Sequence, residues 1–402
     1  MDHTAGSARG DSAVRTARSD GRVGSIAVGA DHPGGDGLPS RLLKFHAPPE
    51  IVFGLDSMAE AAHAALRLGG LRPLLVTDPG LIEAGWVDEL VVHLRGQGVQ
   101  AQVWSALTPN PPKDHEITAG HEFYRSRGCD VLIALGGGSV IDAAKGIAIL
   151  AANGGDILDY AGVDKATMPI PPLVVLPSTS GTGADVSQFC IVTDTTRNTK
   201  ITILGRALVP DITVIDPRLL TTMPEWLNAA TGLDALTHGI EAFVSLGHNQ
   251  LTDHHALRSV VMVTENLVTT IERPQDMPAR VLMAQAALEA GLAFTNAILG
   301  AAHAMSHQVG GLLDLPHGGD QRGGVAAACG ALQRRGGSRA VRHHRRLPGG
   351  SPTNVPPIWN PRWPWPIDCR TWPGRWASRA GWPNWACVRM MCRSWPATRW
   401  PT

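Results

Sequence analysis

Asp234-Ala-Leu-Thr-His238 and His303-Ala-Met-Ser-His307, the second running on to Leu315-Pro316-His317-Gly318, hold the side chains best suited to chemistry in this chain. Asp234 and His238 stand four residues apart in an uninterrupted helical pattern from Glu225 to Val244, so both project from one helix face within reach of a single cation. His303 and His307 repeat that spacing on a later helical segment, and His317 follows in the loop that ends it. One carboxylate with several imidazoles is a mixed oxygen and nitrogen set that suits Fe²⁺ or Zn²⁺ better than Mg²⁺ or Ca²⁺. A single Asp-x-x-x-His pair more often serves as a cap or a surface hydrogen bond. Two such helices with a further His behind a Leu-Pro turn shift the weight to a metal site, while leaving open which of His303 and His307 is the ligand.

A second kind of chemistry is written in two loops. Leu135-Gly136-Gly137-Gly138-Ser139 follows the buried strand pattern Val131–Leu135 and leads into a helix over Val140–Leu150. Glycines there let backbone approach a ligand, and the helix start offers unpaired N–H groups to a pyrophosphate. The spacing is not Gly-x-Gly-x-x-Gly, and a plain strand–turn–helix often serves structure alone. Pro177-Ser-Thr-Ser-Gly-Thr-Gly-Ala184 is a second donor-rich loop after a strand, and open α/β sheets bind ligands at such strand ends. Asp78 closes the strand Leu74–Asp78, where it can accept from ribose hydroxyls and repel a 2′-phosphate, which favours NAD over NADP. A helix N-cap ahead of Pro79 explains the same residue equally well.

These residues need elements to hold them. Residues 1–40 are rich in Gly, Ser, Asp and Arg without apolar periodicity, and read as a disordered extension. From Leu42, Lys44–His46 and Glu50–Gly54 suggest a short β pair, followed by a helix over Met58–Leu68. Strands at Leu74–Asp78, Ala101–Trp104, Val131–Leu135, Leu173–Leu176 and Ile212–Asp216, with a helix near His115–Arg127, predict a parallel sheet covered on both faces. After Asp216-Pro217 only helical periodicity remains, to about Val309. The expected fold is therefore α/β over 41–217, a dinucleotide-binding domain with a parallel sheet, followed by an all-helical metal-binding domain over 218–318.

Near residue 319 the composition changes. The 402-residue chain sums to zero formal charge, yet from Gly319 onward 14 Arg face only Asp320 and Asp368, a net +12 that leaves −12 for the rest. Nine of the twelve Trp lie at or beyond Trp359, whereas every Phe and Tyr lies before Gly319. Frequent Pro forbids sustained helix in this tail. A shift of reading frame just after the His317 codon accounts for it, and an Arg/Pro/Trp-rich, disordered tail over 319–402 is expected. A true basic tail would grip nucleic acid or a membrane surface, but it would show clustered basic faces, and none is present. Six Cys without a Cys-x-x-Cys pair suit a reducing compartment, and no apolar run is long enough to span a bilayer, so a cytoplasmic protein without nucleic-acid or membrane partners is expected, with a homo-oligomer compatible.

Gly136-Gly-Gly-Ser-Val-Ile-Asp-Ala-Ala-Lys145, the Ser178–Gly183 loop, Asp211 to Leu220, Asp234 to Ser245, and Ala302 to Gly318 together resemble the iron-containing, group III alcohol dehydrogenases, over about 42–318. The resemblance implies an NAD-dependent alcohol dehydrogenase or aldehyde reductase acting on a primary alcohol or polyol. Iron follows from the family name, and the donor types suit zinc as well. It implies Asp234, His238, His303 and His317 as metal ligands, and His307 as the unliganded His that relays the proton. It also implies Asp78, Asn110, Gly137, Gly138, Ser139, Thr179, Ser180 and Lys200 along the dinucleotide, with Asp142 near the nicotinamide. A metal-free maleylacetate-type reductase fits the fold but not the full Asp/His/His/His set. A catalytically impaired nucleotide-binding protein is the alternative, because the Gly-rich domain is complete and the helical one is not.

Overall fold

The computed structural model describes residues 44–108 and 111–313, with side chains to His307. The expected extension 1–40, Asn110, His317 and the tail 319–402 lie outside the described residues. Through the first half, strands and helices alternate: β1 (Glu50–Phe53), α1 (Glu60–Arg67), β2 (Pro73–Val76), α2 (Pro79–Glu83), α3 (Trp86–Gly96), β3 (Gln102–Trp104), α4 (Asp114–Ser126), β4 (Val131–Gly136) and α5 (Gly138–Asn153). The chain continues through β5 (Gly162–Val163), β6 (Leu173–Pro177), β7 (Phe189–Asp194), β8 (Thr199–Leu204) and β9 (Ile212–Ile215). Four helices follow, α6 (Glu225–Val244), α7 (Gln250–Glu272), α8 (Met277–Ala297) and α9 (Ala301–Leu313).

Six strands form one parallel sheet in the order β1-β9-β6-β4-β2-β3. Alternate residues of its buried strands enter two cores. Leu74, Leu132, Ala134, Leu173 and Val175 pack with α4 and α5, while Leu75, Ile133, Leu135, Val174 and Val214 pack with α1 and α3. Both faces are covered, which is why these strands read as unbroken apolar runs rather than as alternating ones. The chain leaves β2 for the edge strand β3 and returns to the other side of β2 as β4. The strand ends that carry Asp78 and Gly137 therefore diverge at the switch point of the sheet, the usual ligand crevice of open α/β folds.

Two parts of the strand reading change. Lys44–His46 forms no strand; its backbone binds Asn296 on α8, His46 N donating to Oδ1 at 2.6 Å and Nδ2 donating back to His46 O at 2.9 Å. Pro48-Pro49 removes two donors from the link, and β1 pairs with β9 instead. The hairpin β7–β8 was not expected. With β5 it makes a separate three-stranded sheet, its turn held by Asp194 Oδ1 accepting from the N–H groups of Thr196 and Arg197. Lys200 lies on β8.

α6, α7 and α8 pack through Ala235, Leu236, Met262, Val263, Leu267, Met283 and Ala286. Small residues let the 178–184 loop press against this layer. A methyl group on Gly181 would sit 2.5 Å from the Thr231 carbonyl oxygen on α6, and one on Gly183, at φ +58, would sit 2.7 Å from Gly291 and Phe294 on α8. Among the described residues no single helix is long and apolar enough to cross a membrane.

The close approach is testable by substitution. Gly181→Ala should lower unfolding stability by about 1–3 kcal/mol through overpacking, whereas Gly205→Ala, whose nearest neighbour is an Asp164 oxygen at 3.8 Å, should stay within about 0.5 kcal/mol. Urea unfolding of both variants checks this, and equal effects would contradict the tight packing.

Candidate active site and metal centre

A cleft of about 1000 Å³ runs from the sheet's strand ends to α6, α8 and α9. Asp78, Gly137, Gly138, Ser139, Asp142, Thr179, Lys200, Asp234, His238, His303 and His307 all line it. Ser180 does not. Its side chain is fully buried and its hydroxyl has no hydrogen-bond partner, because the loop turns Ser178, Thr179 and Thr182 to the cleft and Ser180 behind its wall. Asp78 borders the cleft, and its Oδ1 caps α2 by accepting from Leu81 N at 3.1 Å, the N-cap alternative its sequence position offered. Burial raises its carboxyl above the ordinary range, and the N–H groups of Leu81 and Gly80 work against that.

At the far end, Asp234, His238 and His303 bring one ligand atom each within 4.8 Å of one another, all three buried. Asp234 Oδ1 stands 3.5 Å from His238 Nε2 and 3.4 Å from His303 Nε2. The imidazole rings stack with centroids 4.4 Å apart, and Phe294 stacks on the other side of His238 at 4.3 Å. Neither ring is free to turn, since each Nδ1 has its own partner. His238 Nδ1 donates to the Gly181 carbonyl at 3.1 Å, and His303 Nδ1 lies 2.6 Å from Glu241 Oε2. A carbonyl can only accept, so His238 carries its proton on Nδ1 and turns the Nε2 lone pair toward Asp234. Buried nitrogen and carboxylate donors facing one point, held from behind, are what a divalent cation of the Fe²⁺ or Zn²⁺ type requires.

The helical spacing thus brings its pairs together as expected, and His307 takes the position the spacing left open. Its ring meets that of His303 edge-on at 6.1 Å, facing the cleft. Burial first, then the charges of His303 and Lys200, push its pKa down to about 4, so it is a neutral imidazole at neutral pH. His238 is likewise lowered to about 4, chiefly by burial. His303 goes the other way. Burial lowers it, but hydrogen bonds and charge from Asp234 and Glu241 outweigh that and raise it to about 9. Glu241 faces Nδ1 and Asp234 faces Nε2, so the two carboxylates favour the doubly protonated ring.

Glu241 and Lys145 were missed in the sequence. Glu241 lies on the same face of α6 as Asp234 and His238, at i+7 and i+3, a periodic signal that marks it once a partner is expected there. Lys145 is fully buried, and its Nζ donates to the carbonyls of Ala184, Ser187 and Phe189 at 2.7, 2.7 and 2.9 Å. It ties the helix behind the Gly-rich loop to the segment that floors the cleft. Asp142, one turn earlier, is pushed up to about 7 by burial, against the pull of Lys145. Phe294 had no sequence signal beyond being apolar.

The raised His303 pKa has a stability consequence. Because the folded value lies above the ordinary 6.5, its contribution is fully present below about pH 6.5 and is lost as pH rises through about 9. Chelated protein should therefore lose stability across that window in urea unfolding, and His303→Gln should flatten the loss. An equally steep fall in the variant would place the dependence elsewhere.

The geometry agrees with comparison to known proteins. Residues 48–217 match the family described as "Iron-containing alcohol dehydrogenase", and 228–326 match "Fe-containing alcohol dehydrogenase family, C-terminal", which carries the likeness past Gly318. The 1,3-propanediol dehydrogenase of Citrobacter freundii is 40% identical over 280 residues, 69% of this chain and 72% of that protein. A solved 1,3-propanediol oxidoreductase superposes with TM-score 0.68 at 38% identity, over 70% of this chain and 74% of its own. Sulfoacetaldehyde reductase from Bifidobacterium kashiwanohense, solved with NAD+, reaches TM-score 0.68 at 28% identity over 73% and 77% of the two chains. With the Gly-rich loop, the Asp/His/His cluster and the parallel sheet in one frame, this chain is an oxidoreductase that belongs to the iron-containing alcohol dehydrogenase family.

Proposed function

We propose that the protein interconverts a primary alcohol or polyol and its aldehyde with NAD, using a divalent cation held by Asp234, His238 and His303, with His317 as the fourth ligand. The observation that carries this reading is the meeting of Asp234 Oδ1 with two imidazole Nε2 atoms in the same cleft as the Gly137–Ser139 loop. Iron is the metal the family suggests, and the donors suit zinc equally. Division into a dinucleotide-binding domain over 41–217 and a metal-binding domain over 218–318 is supported by the family matches, which break between 217 and 228. A reducing, cytoplasmic setting is supported by Cys129 and Cys190, both free and buried.

When bound, the cation supplies Lewis acidity that favours alkoxide over alcohol, and the dinucleotide supplies the hydride acceptor. The remaining work falls to side chains. N–H groups at the start of α5 orient the pyrophosphate, and a side chain on Gly138 would meet Thr182 at 2.7 Å, so the glycine lets the 178–184 loop lie against that helix start. Asp78 accepts from ribose hydroxyls and disfavours a 2′-phosphate. Thr179 and Lys200 line the dinucleotide path, and Asp142 lies toward its nicotinamide end. His307, neutral at the cleft, takes up the hydroxyl proton on a ring nitrogen. Phe189, Leu299 and Phe294 keep the reacting end apolar.

Loading the full chain with Fe²⁺ or Zn²⁺ and following alcohol-dependent NADH formation tests the reading. Activity is expected with primary alcohols or diols and should disappear on chelation. His307→Gln should leave bound metal unchanged and lower turnover by roughly 10²–10⁴. Metal loss in that variant comparable to His238→Gln would make His307 a ligand instead.

A further inference from the structure

Glu241 is not among the residues that line the cleft, yet it is buried on the face of α6 that carries Asp234 and His238. Its carboxylate is divided between two tasks. Oε2 lies 2.6 Å from His303 Nδ1, while Oε1 accepts from Ala302 N at 2.6 Å, and the Gly300 N–H also donates to the carboxylate. The turn between α8 and α9 wraps around this group. Ile298 takes a left-handed φ of +68, and a side chain on Gly300 would come within 2.8 Å of Glu241 Oε1, so only glycine lets the turn close on it. A carboxylate from α6 therefore occupies the N-terminal end of α9, where the first N–H groups and the helix dipole favour negative charge, two residues before His303.

We propose that Glu241 is the positioning residue of the metal centre, holding His303 with its proton on Nδ1 and its Nε2 lone pair turned toward Asp234 and His238. The assignment rests on the metal reading given above. α6 then contributes Asp234 and His238 directly, and it controls the third ligand, on a different helix, through Glu241. The backbone N–H of Ala302 can only donate, so Oε1 is committed to it. Oε2 is left as the acceptor that decides which nitrogen of His303 carries the proton.

Glu241→Gln separates positioning from mere support. An amide has one oxygen. If that oxygen stays with the α9 N–H groups, the NH2 faces His303 Nδ1, which must then accept, and the ring proton moves to Nε2, the atom needed for the cation. The helix cap survives and the ligand is lost. Titration of the full chain with Co²⁺, followed by its visible absorption and by chelator competition, should show a 10–100-fold rise in Kd for Glu241→Gln. NADH affinity measured by fluorescence should stay within about twofold, since outer-shell changes act locally on the metal. An unchanged Co²⁺ Kd in a variant that still binds NADH would overturn the assignment.

A second measurement needs no change at Glu241. Nitrogen-15 spectra of histidine-labelled, Zn²⁺-loaded wild-type protein, with His303→Gln to identify the signal, should show His303 protonated at Nδ1. A His303 proton at Nε2 would overturn the assignment whatever the variant does. Failure of the wild-type chain to take up Co²⁺ or Zn²⁺ at all would sink the metal reading and this proposal together, whereas tight uptake with equal Kd in Glu241→Gln sinks only the role of Glu241.

Discussion

His238 joins two otherwise separate pieces of chemistry through one hydrogen bond, from its Nδ1 to the carbonyl of Gly181 at 3.1 Å. Gly181 belongs to the loop that follows β6 in the sheet, and His238 to the helix that carries Asp234. The bond exists because the loop can lie almost against α6, and it can do so only without a side chain at 181, where a methyl group would meet Thr231 backbone at 2.5 Å. Gly183 makes the corresponding approach to α8, and Lys145 holds the following residues by three carbonyls. The segment 178–189 is therefore clamped on one side by the helix behind the Gly-rich loop and on the other by the ligand-bearing helices. A shift of either half would move His238.

The electrostatics of the cluster follow from placing charge where water is excluded. Burial alone would drive every imidazole to its neutral form, and it does so for His238 and His307. His303 departs from that only because Asp234 and Glu241 both contact it. Two buried carboxylates flanking one imidazole are costly unless the ring between them is charged.

Much of this was legible in the sequence, for identifiable reasons. Helical periodicity over Glu225–Val244 reproduces α6 to the residue, because no Pro or competing turn interrupts it, and Asp234 and His238 meet as i, i+4 spacing requires. Unbroken apolar runs located the buried parallel strands. The hairpin β7–β8 escaped because its strands are half-buried and its turn is closed by Asp194 rather than by an Asn-Gly or Asp-Gly pair. Ser180 was placed on the cleft because a loop of hydroxyls reads as uniformly donor-rich, whereas the loop faces Ser178, Thr179 and Thr182 to the cleft and buries Ser180 behind them. Glu241 was overlooked for a different reason: its role depends on where α9 begins, a tertiary fact that the α6 sequence does not contain.

The account depends most on Asp234, His238 and His303 sharing one ion. Crystals of the full protein grown with Fe²⁺ and NAD, measured on both sides of the iron absorption edge, test that directly. The account predicts a single anomalous peak at about 2.0–2.2 Å from Asp234 Oδ1 and from the Nε2 atoms of His238 and His303, by analogy with other first-row sites. A peak bound to other residues, or bound to His307 in place of His303, would contradict it.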